Sequence, residues 1–378
     1  MPFKDPAFSF GIEEEYMLVD RQTRELAQNP PAALFAACET ALGKQVSREF
    51  LQCQIEVGTR ICTTPGDAAE QLRHMRRTIA SIAAEYGLAP IAASTHPFSP
   101  WSEQQPTDRA RYQAIAKDLA GLGNRLVICG MHVHCGIEDQ ELRIDLMNQI
   151  RYFLPHILAL ASSSPFHEGR DTGLKCYRLA AYHEIPRTGL PGRFSGWDEY
   201  AQTVDVLVKG GVIEDATKIW WDVRPSAKFP TLEMRVTDVA TRVEDAVAVA
   251  MLYVCLLRML TRIRRNNQSW RQYPVFLIAE NRWRAMRYGV QGTLFDFGRG
   301  ELVPFRYLLE EIMALIREDA DALGCKAEIE HLRGIVGHGT SADRQVASYA
   351  QAIKTGAAPD VALKGVVDQL IVETRGVA

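Results

Sequence analysis

The 378-residue sequence is short of the signatures that usually give a chain an early label. It has no GxxxxGK[ST] loop and no GxGxxG opening a βαβ unit, so neither a P-loop nor a Rossmann nucleotide site is supported. It has no Ser/His/Asp or Cys/His arrangement for nucleophilic catalysis. The eight cysteines, scattered from Cys38 to Cys325, contain no CxxC pair. In a chain this long with no visible signal segment they read as reduced thiols. The longest apolar run, Ala246 to Leu257, stops at Arg258. A bilayer needs about 20 such residues, so this run reads as a buried core helix. No apolar h-region follows Met1. The expectation is a cytoplasmic protein with no membrane partner.

A surplus of one charge is also missing. The 43 Lys+Arg stand against 46 Asp+Glu, a formal net charge of -3. A nucleic-acid footprint needs clustered, uncompensated cations, so no nucleic-acid partner is expected. With 47% hydrophobic and 24% charged residues, disorder and collagen-like structure are excluded. Length alone allows one to three domains. The lack of low-complexity linkers or repeats points to one domain over 1–378.

What is present is alternation. Thr64-Pro65-Gly66-Asp67 reads as a helix start, with Thr as N-cap and Pro at the first helical position. Its helix carries Leu72, Met75, Ile79, Ile82 and Ala83 at helical spacing and runs to Gly87. Further helices are expected near 108–121, 141–162 (kinked at Pro155), 198–209, 244–264, 304–323 and 341–353, with loops at 96–106, 186–197 and 220–230. Between them lie four period-two segments, polar on one face and apolar on the other. In Gly11–Val19, Glu13 and Glu15 share a face. In Phe50–Val57, Gln52, Gln54 and Glu56 oppose Leu51, Cys53, Ile55 and Val57. In Leu126–Gly136, His132 and His134 oppose Met131, Val133 and Cys135. In Thr231–Asp238, Glu233 and Arg235 oppose Leu232, Met234 and Val236. The expected architecture is α+β: a mostly antiparallel sheet with helices on its apolar face and an acid-lined groove on the other.

Converging acids raise one another's pKa unless a cation neutralises them. A hard divalent ion such as Mg²⁺, which takes about six oxygen ligands, does this. Glu13, Glu15, Glu56 and Glu233 are therefore candidate metal ligands, with one of His132 or His134 at the edge. Glu49 lies seven residues before Glu56, so strict alternation puts the two on opposite faces. Only a bulge or an earlier strand start brings both to one site. The His132-Val133-His134 pair also admits zinc, although the acidic company favours a harder metal. Ordinary exposed strand residues are the bland alternative for any one of these acids.

Three further features have chemistry to offer. Gly334, Gly337 and Gly339 precede a helix expected from Ser341, and amides at such a turn hold anions, with Arg344 adding charge. A plain flexible loop is the competing reading. Arg224, held extended by Pro225 and flanked by Trp220 and Trp221, suits bidentate capture of a substrate carboxylate. Packing at a core edge is its alternative. Arg282, in Glu280-Asn281-Arg282-Trp283-Arg284, is a similar candidate.

Gly11-Ile12-Glu13-Glu14-Glu15-Tyr16, Gln54-Ile55-Glu56-Val57-Gly58-Thr59 and Met131-His132-Val133-His134 resemble bacterial glutamate–cysteine ligases of type 2. Ser162-Ser163-Ser164-Pro165-Phe166, Pro186-Arg187-Thr188-Gly189, Trp220 to Asp238 and Glu280-Asn281-Arg282-Trp283 extend the likeness over about residues 8–350. The branch it is most similar to is the carboxylate–amine ligases with weak glutamate–cysteine ligase activity. The resemblance implies a glutamine synthetase-like fold, ATP and Mg²⁺. By it, Glu13, Glu15, Glu56 and Glu233 fall on metal-ligand positions, one histidine of the pair on the strand histidine, and Arg235 on the arginine facing the transferred phosphoryl group. Glu49 matches a further ligand position in distant members. Where the family often reads HVHVG this chain has Cys135, whose side chain faces away from the site. The region around Tyr182 and His183, and the stretch from Ala342 to Gln345, fit the pattern loosely. The implied reaction joins a small carboxylate to an amine with ATP, through an acyl phosphate. A zinc hydrolase on His132 and His134, a non-catalytic nucleotide-binding relative, and a homo-oligomer remain open from sequence.

Overall fold

The computed structural model describes residues 5–108 and 127–376. The helix expected near 108–121 lies outside the described residues. At the centre is a seven-stranded sheet formed by β1 (Phe10–Asp20), β2 (Val46–Arg48), β3 (Gln54–Gly58), β4 (Leu88–Ile91), β5 (Met131–Gly136), β6 (Val223–Pro225) and β7 (Thr231–Met234). The main path runs β6-β7-β5-β1-β3-β2, with β4 also paired to β1, and every pairing is antiparallel. Hairpins and crossovers of this kind leave one face free for solvent, which a parallel sheet does not.

Alternation decides which side chains go where. Ile12, Tyr16, Ile55, Val57, Met131, Val133, Leu232 and Met234 are at most 1% exposed on the inner face. The helices Pro65–Glu85, Gln140–Ile150 and Val243–Arg265 pack against this side. Each such side chain contributes about 1.5–3 kcal/mol on burial. Among the described residues, only Val243–Arg265 is long and apolar enough to cross a membrane, and it is 83% buried across its most apolar stretch. It is the core helix that the run from Ala246 to Leu257 announced, and its Tyr253 hydroxyl donates to the Leu232 carbonyl of β7 at 3.2 Å.

The Pro65–Glu85 helix begins as expected. The Thr64 hydroxyl accepts from the Asp67 amide, Pro65 occupies the first turn, and Gly87 turns the chain with φ +73°. Two expectations about helix continuity are corrected. The segment 141–162 is not one kinked helix but two, Gln140–Ile150 and Leu154–Leu160, because Pro155 sits in the first turn of the second helix. The segment 304–323 breaks at Ile316 into Phe305–Leu315 and Arg317–Leu323. The loop 220–230 contains β6, and the strand expected from Phe50 begins only at Gln54. Helices Ala32–Leu42, Val275–Tyr288, Lys326–His338 and Pro359–Arg375 were not expected from the sequence.

Two charges break the apolar pattern and answer each other. Glu14 shares the inner face of β1 with Ile12 and Tyr16, and Arg76 shares the buried stripe of its helix with Leu72, Met75 and Ile79. Both are at most 1% exposed, and they form a bidentate pair with Nη2–Oε1 at 2.7 Å and Nε–Oε2 at 3.0 Å. Arg76 also donates to the Ala240 carbonyl at 2.8 Å and to that of Thr241. One guanidinium thereby ties β1, its own helix and the chain leading into Val243–Arg265.

Candidate active site

Strand register builds the outer face. Across β1 and β5, Glu13 lies opposite His132; across β7 and β5, Glu233 lies opposite His134; across β1 and β3, Glu15 lies opposite Glu56. Arg224 of β6 lies opposite Glu233, and Ser47 of β2 opposite Glu56. These residues line one cavity of about 460 Å³, together with Arg235, Arg178, Tyr182 and Glu49. Glu49 follows β2, not β3, so the parity argument against it lapses: the chain turns between the two strands and brings both acids to the same cavity.

Three donors converge most closely. Ligand atoms of Glu13, His134 and Glu233 all lie within 4.8 Å of one another. His134 Nε2 stands 3.4 Å from Glu13 Oε1, while its Nδ1 meets the Thr231 hydroxyl at 2.9 Å. His132 is set back beside Arg235, with Nδ1 3.4 Å from Glu13 Oε2 and 3.3 Å from Arg235 Nη1. Glu15 Oε2 accepts from the Gly130 amide at 2.7 Å, and Glu56 Oε2 accepts from the Ser47 hydroxyl at 2.9 Å. Glu233 is held by two arginines, Arg224 Nε at 2.9 Å and Arg235 Nη1 at 2.5 Å.

The electrostatics divide the acids. Burial pushes Glu56 up to about 7, and the charges of Glu13 and Glu15 add to this against a hydrogen bond from Ser47 and the charge of Arg235. Burial also opposes charge on Glu13, yet contacts from His132 and His134 hold its carboxyl well below the usual range. Glu233 is pulled far down against its own burial, by Arg235 first and then Arg224. Burial lowers His132, helped by the Arg235 charge, whereas Glu13 and Glu233 overcome burial and raise His134.

The residues suit a hard cation. The donors are carboxylate oxygens with one imidazole, and Glu56 shows an acid cluster short of positive charge. Two buried side-chain nitrogens here, His132 Nε2 and Arg235 Nε, have no hydrogen-bond partner, and His134 Nε2 has only the 3.4 Å contact to Glu13. Buried polar atoms are rarely left so, and at the floor of an open cavity they mark where an incoming ion or substrate bonds.

Not every candidate comes to this cavity. Arg224 lines it, but its guanidinium is committed to Glu233 and to the Thr217 and Ile219 carbonyls, so it is a brace and not an open carboxylate clamp. Arg282 is buried against Asp222, Nε to Oδ2 at 2.6 Å, away from the cavity lining. The glycine turn is also corrected: Gly334 and Gly337 lie inside Lys326–His338, and only Gly339, at φ +83°, makes the turn. There the Asp343 carboxylate closes a capping box with Thr340, filling the anion position. Arg344 points to Glu373 at 2.8 Å, and none of Gly337, Gly339 and Arg344 lines the cavity.

Sequence reasoning missed Arg178, which is 3% exposed and lines the cavity, its Nη1 and Nη2 each 3.3 Å from the Arg235 carbonyl. The available signal was Gly130: a Cβ there would fall within the Arg178 guanidinium, so only glycine admits this packing. Nothing in the sequence flags Lys228 or Phe229, which wall the cavity from the β6–β7 turn, Phe229 edge-on to His134.

Solved structures share this architecture at low identity. The bifunctional glutathione synthetase of Pasteurella multocida aligns with a TM-score of 0.71 and 15% identity, over 96% of this chain and 52% of its own. A glutamate–cysteine ligase of Francisella tularensis, solved in complex with AMP, aligns with a TM-score of 0.70 and 12% identity, over 100% of this chain and 91% of its own. The fold is that of the glutamine synthetase-like ligases. In sequence, a Rhodospirillum rubrum protein provisionally named glutamate–cysteine ligase 2 is 56% identical over 98% of this chain and 96% of its own length. A protein of the same provisional name from Jannaschia sp. (strain CCS1) is 52% identical over 98% of this chain and 97% of its own. The family model Glutamate-cysteine ligase family 2 (GCS2) matches residues 9–363, and the chain belongs to that family.

Proposed function

We propose that the chain is an ATP- and Mg²⁺-dependent carboxylate–amine ligase that forms an amide bond through an acyl phosphate, with glutamate and cysteine as the first substrate pair to try. The observation that carries this reading is the convergence of Glu13, His134 and Glu233 beside Arg235 in one cavity. Glu13, Glu15, Glu56 and Glu233 would hold Mg²⁺, which neutralises nucleotide phosphates when bound.

The chain's own residues have a definable task. Transfer of a phosphoryl group to a carboxylate brings an anion to a polyanion, so alignment and charge neutralisation dominate and no protein nucleophile is required. Arg235 is kept charged by Glu233 despite burial, and its unpartnered Nε is available to an oxygen of the transferring group. Arg224 and Arg235 hold Glu233 between them, which fixes the carboxylate before any cation arrives. The eight cysteines are buried, and none lines the cavity, so they take no part. Amine attack on the acyl phosphate then releases phosphate and leaves the amide.

The test is phosphate release from ATP and Mg²⁺ with a panel of carboxylate and amine pairs, run beside a Glu233→Gln variant. Turnover that needs both substrates and disappears in the variant supports the ligase. Hydrolysis without ATP by a protein carrying one tight zinc, or nucleotide binding with no amine-dependent turnover, would sink it. A chain of these residues is also proposed to work in the cytoplasm, where ATP and reduced thiols are supplied.

A further inference from the structure

A second cavity, of about 710 Å³, shares no lining residue with the acid-lined one, and its cations outnumber its acids. It lies between the Pro65–Glu85 helix, β4, the first turn of Val243–Arg265 and the C-terminal end of Pro359–Arg375. Five arginines line it, Arg21, Arg73, Arg77, Arg242 and Arg375, against two acids, Glu244 and Glu373. Both acids are already paired: Glu244 with Arg73 at 2.8 Å, and Glu373 with Arg242 at 3.1 Å and Arg344 at 2.8 Å. Among the described residues, the guanidiniums of Arg21, Arg77 and Arg375 meet no carboxylate and no hydrogen-bond acceptor. Among the described residues, three cations without an acidic partner in one concavity run against the trend of a chain with net charge -3.

The floor is different from the rim. Leu88, Ala89 and Val243 are buried apolar residues beneath the arginines, with Ile371 beside them. The first turn of Val243–Arg265 also opens here, and its N-cap residue, Arg242, places no side-chain acceptor on the turn's amides. Guanidiniums above an apolar floor, at a volume typical of small-molecule sites, select a ligand with clustered negative charge and an apolar body.

We propose that this cavity binds a small, multiply charged anion, phosphorylated or polycarboxylate, through Arg21, Arg77 and Arg375. The site is independent of the ligase reading, since it shares no residue with the acid-lined cavity. Its ligand rests on the helix whose Arg76, next to Arg77, grips Glu14 between the candidate ligands Glu13 and Glu15.

Calorimetric titration of the full chain in metal-free buffer tests this, since the acid-lined cavity is proposed to take its phosphates with Mg²⁺, and variants in each cavity separate the two. Pyrophosphate and citrate serve as probes, one for each ligand source. At least one should bind with unit stoichiometry, and Arg77→Glu/Arg375→Glu should weaken it by at least about tenfold. An Arg306→Glu variant, which changes net charge at an exposed arginine outside the cavity, should bind as the wild type does. Because Arg77 and Arg375 are exposed, the double variant should keep its melting temperature and basal turnover. Binding of neither probe at millimolar concentration, an affinity unchanged in the double variant, or loss of binding in Glu233→Gln instead would each overturn the proposal.

Discussion

Replacing Arg76 by Met is the sharpest stability test of the frame behind the candidate active site. Methionine matches the arginine stem in length and fills the space, so the change removes charge and donors with little cavity. Glu14 would keep the Tyr16 hydroxyl but lose both guanidinium bonds, at 2.7 and 3.0 Å, inside a fully buried pocket. Stranding one member of a buried ion pair costs about 3–5 kcal/mol. The carbonyls of Ala240 and Thr241 lose their donor as well, which places the expected loss at the upper end. At roughly 2.1 cal/mol/K of unfolding entropy per residue, 378 residues turn this into a fall of about 4–6 °C in Tm. Differential scanning calorimetry at neutral pH reads it. Glu14→Gln/Arg76→Met removes the stranded charge and should recover part of the loss, while Arg73→Met, at an exposed pair one turn away, should stay within about 0.5 kcal/mol of wild type. A fall below about 1 °C for Arg76→Met, or a double variant no better than the single, would refute the reasoning.

Other outcomes follow from the site and the fold. Arg235→Met should lower kcat by roughly 10²–10³, the usual loss for one donor to developing charge, and Arg235→Lys should not restore it, because Nη1 and Nε serve different partners; steady-state kinetics with the active substrate pair decides. Gly130→Ala should displace Arg178, cutting turnover and lowering Tm as its bonds to the Arg235 carbonyl are lost, read by kinetics beside calorimetry; unaltered kinetics would show that Arg178 has no part in turnover. Acid should destabilise the protein through His96, whose pKa burial lowers to about 3. Its Nδ1 accepts from the Phe98 and Ser99 amides at 3.2 and 2.9 Å, so Nε2 donates to the Arg24 carbonyl and the ring is neutral when folded. The unfolded chain takes up a proton near pH 6.5, so this stability is present above that pH and is lost as the pH falls toward 3. From pH 7 to pH 5 His96 alone should remove about 2 kcal/mol, measured by denaturant midpoints, and a His96→Gln variant should lose that part of the pH dependence.

The outer face of the sheet was legible because strand periodicity is a local property. Once Glu13, Glu15, His132, His134 and Glu233 alternate with buried residues, any antiparallel pairing that keeps the apolar residues on the core face puts them on one side, and shifts of two residues within that set decide which of them meet. Register is where the sequence ran out: it could not say that His134, and not His132, joins Glu13 and Glu233. Glu49 shows the same limit in another form, since parity holds within a strand and fails across a turn.

The arginines mark a deeper limit. Arg224, Arg282 and Arg344 were singled out as open cations, and each proves to be closed on a carboxylate far away in sequence or across a strand: Glu233, Asp222 and Glu373. A guanidinium whose partner comes from elsewhere in the chain looks free in sequence, because its neutralisation is a tertiary event. The pairing of Glu14 with Arg76 was more accessible, since each interrupts a buried apolar stripe and a buried charge without a partner is too costly to persist. A charge out of pattern therefore predicts a structural partner, whereas a charge in pattern, such as Arg77 or Arg375 on an exposed face, predicts nothing until the fold shows what stands opposite it. That asymmetry is why the acid-lined cavity could be read from strand alternation and the arginine-lined one could not.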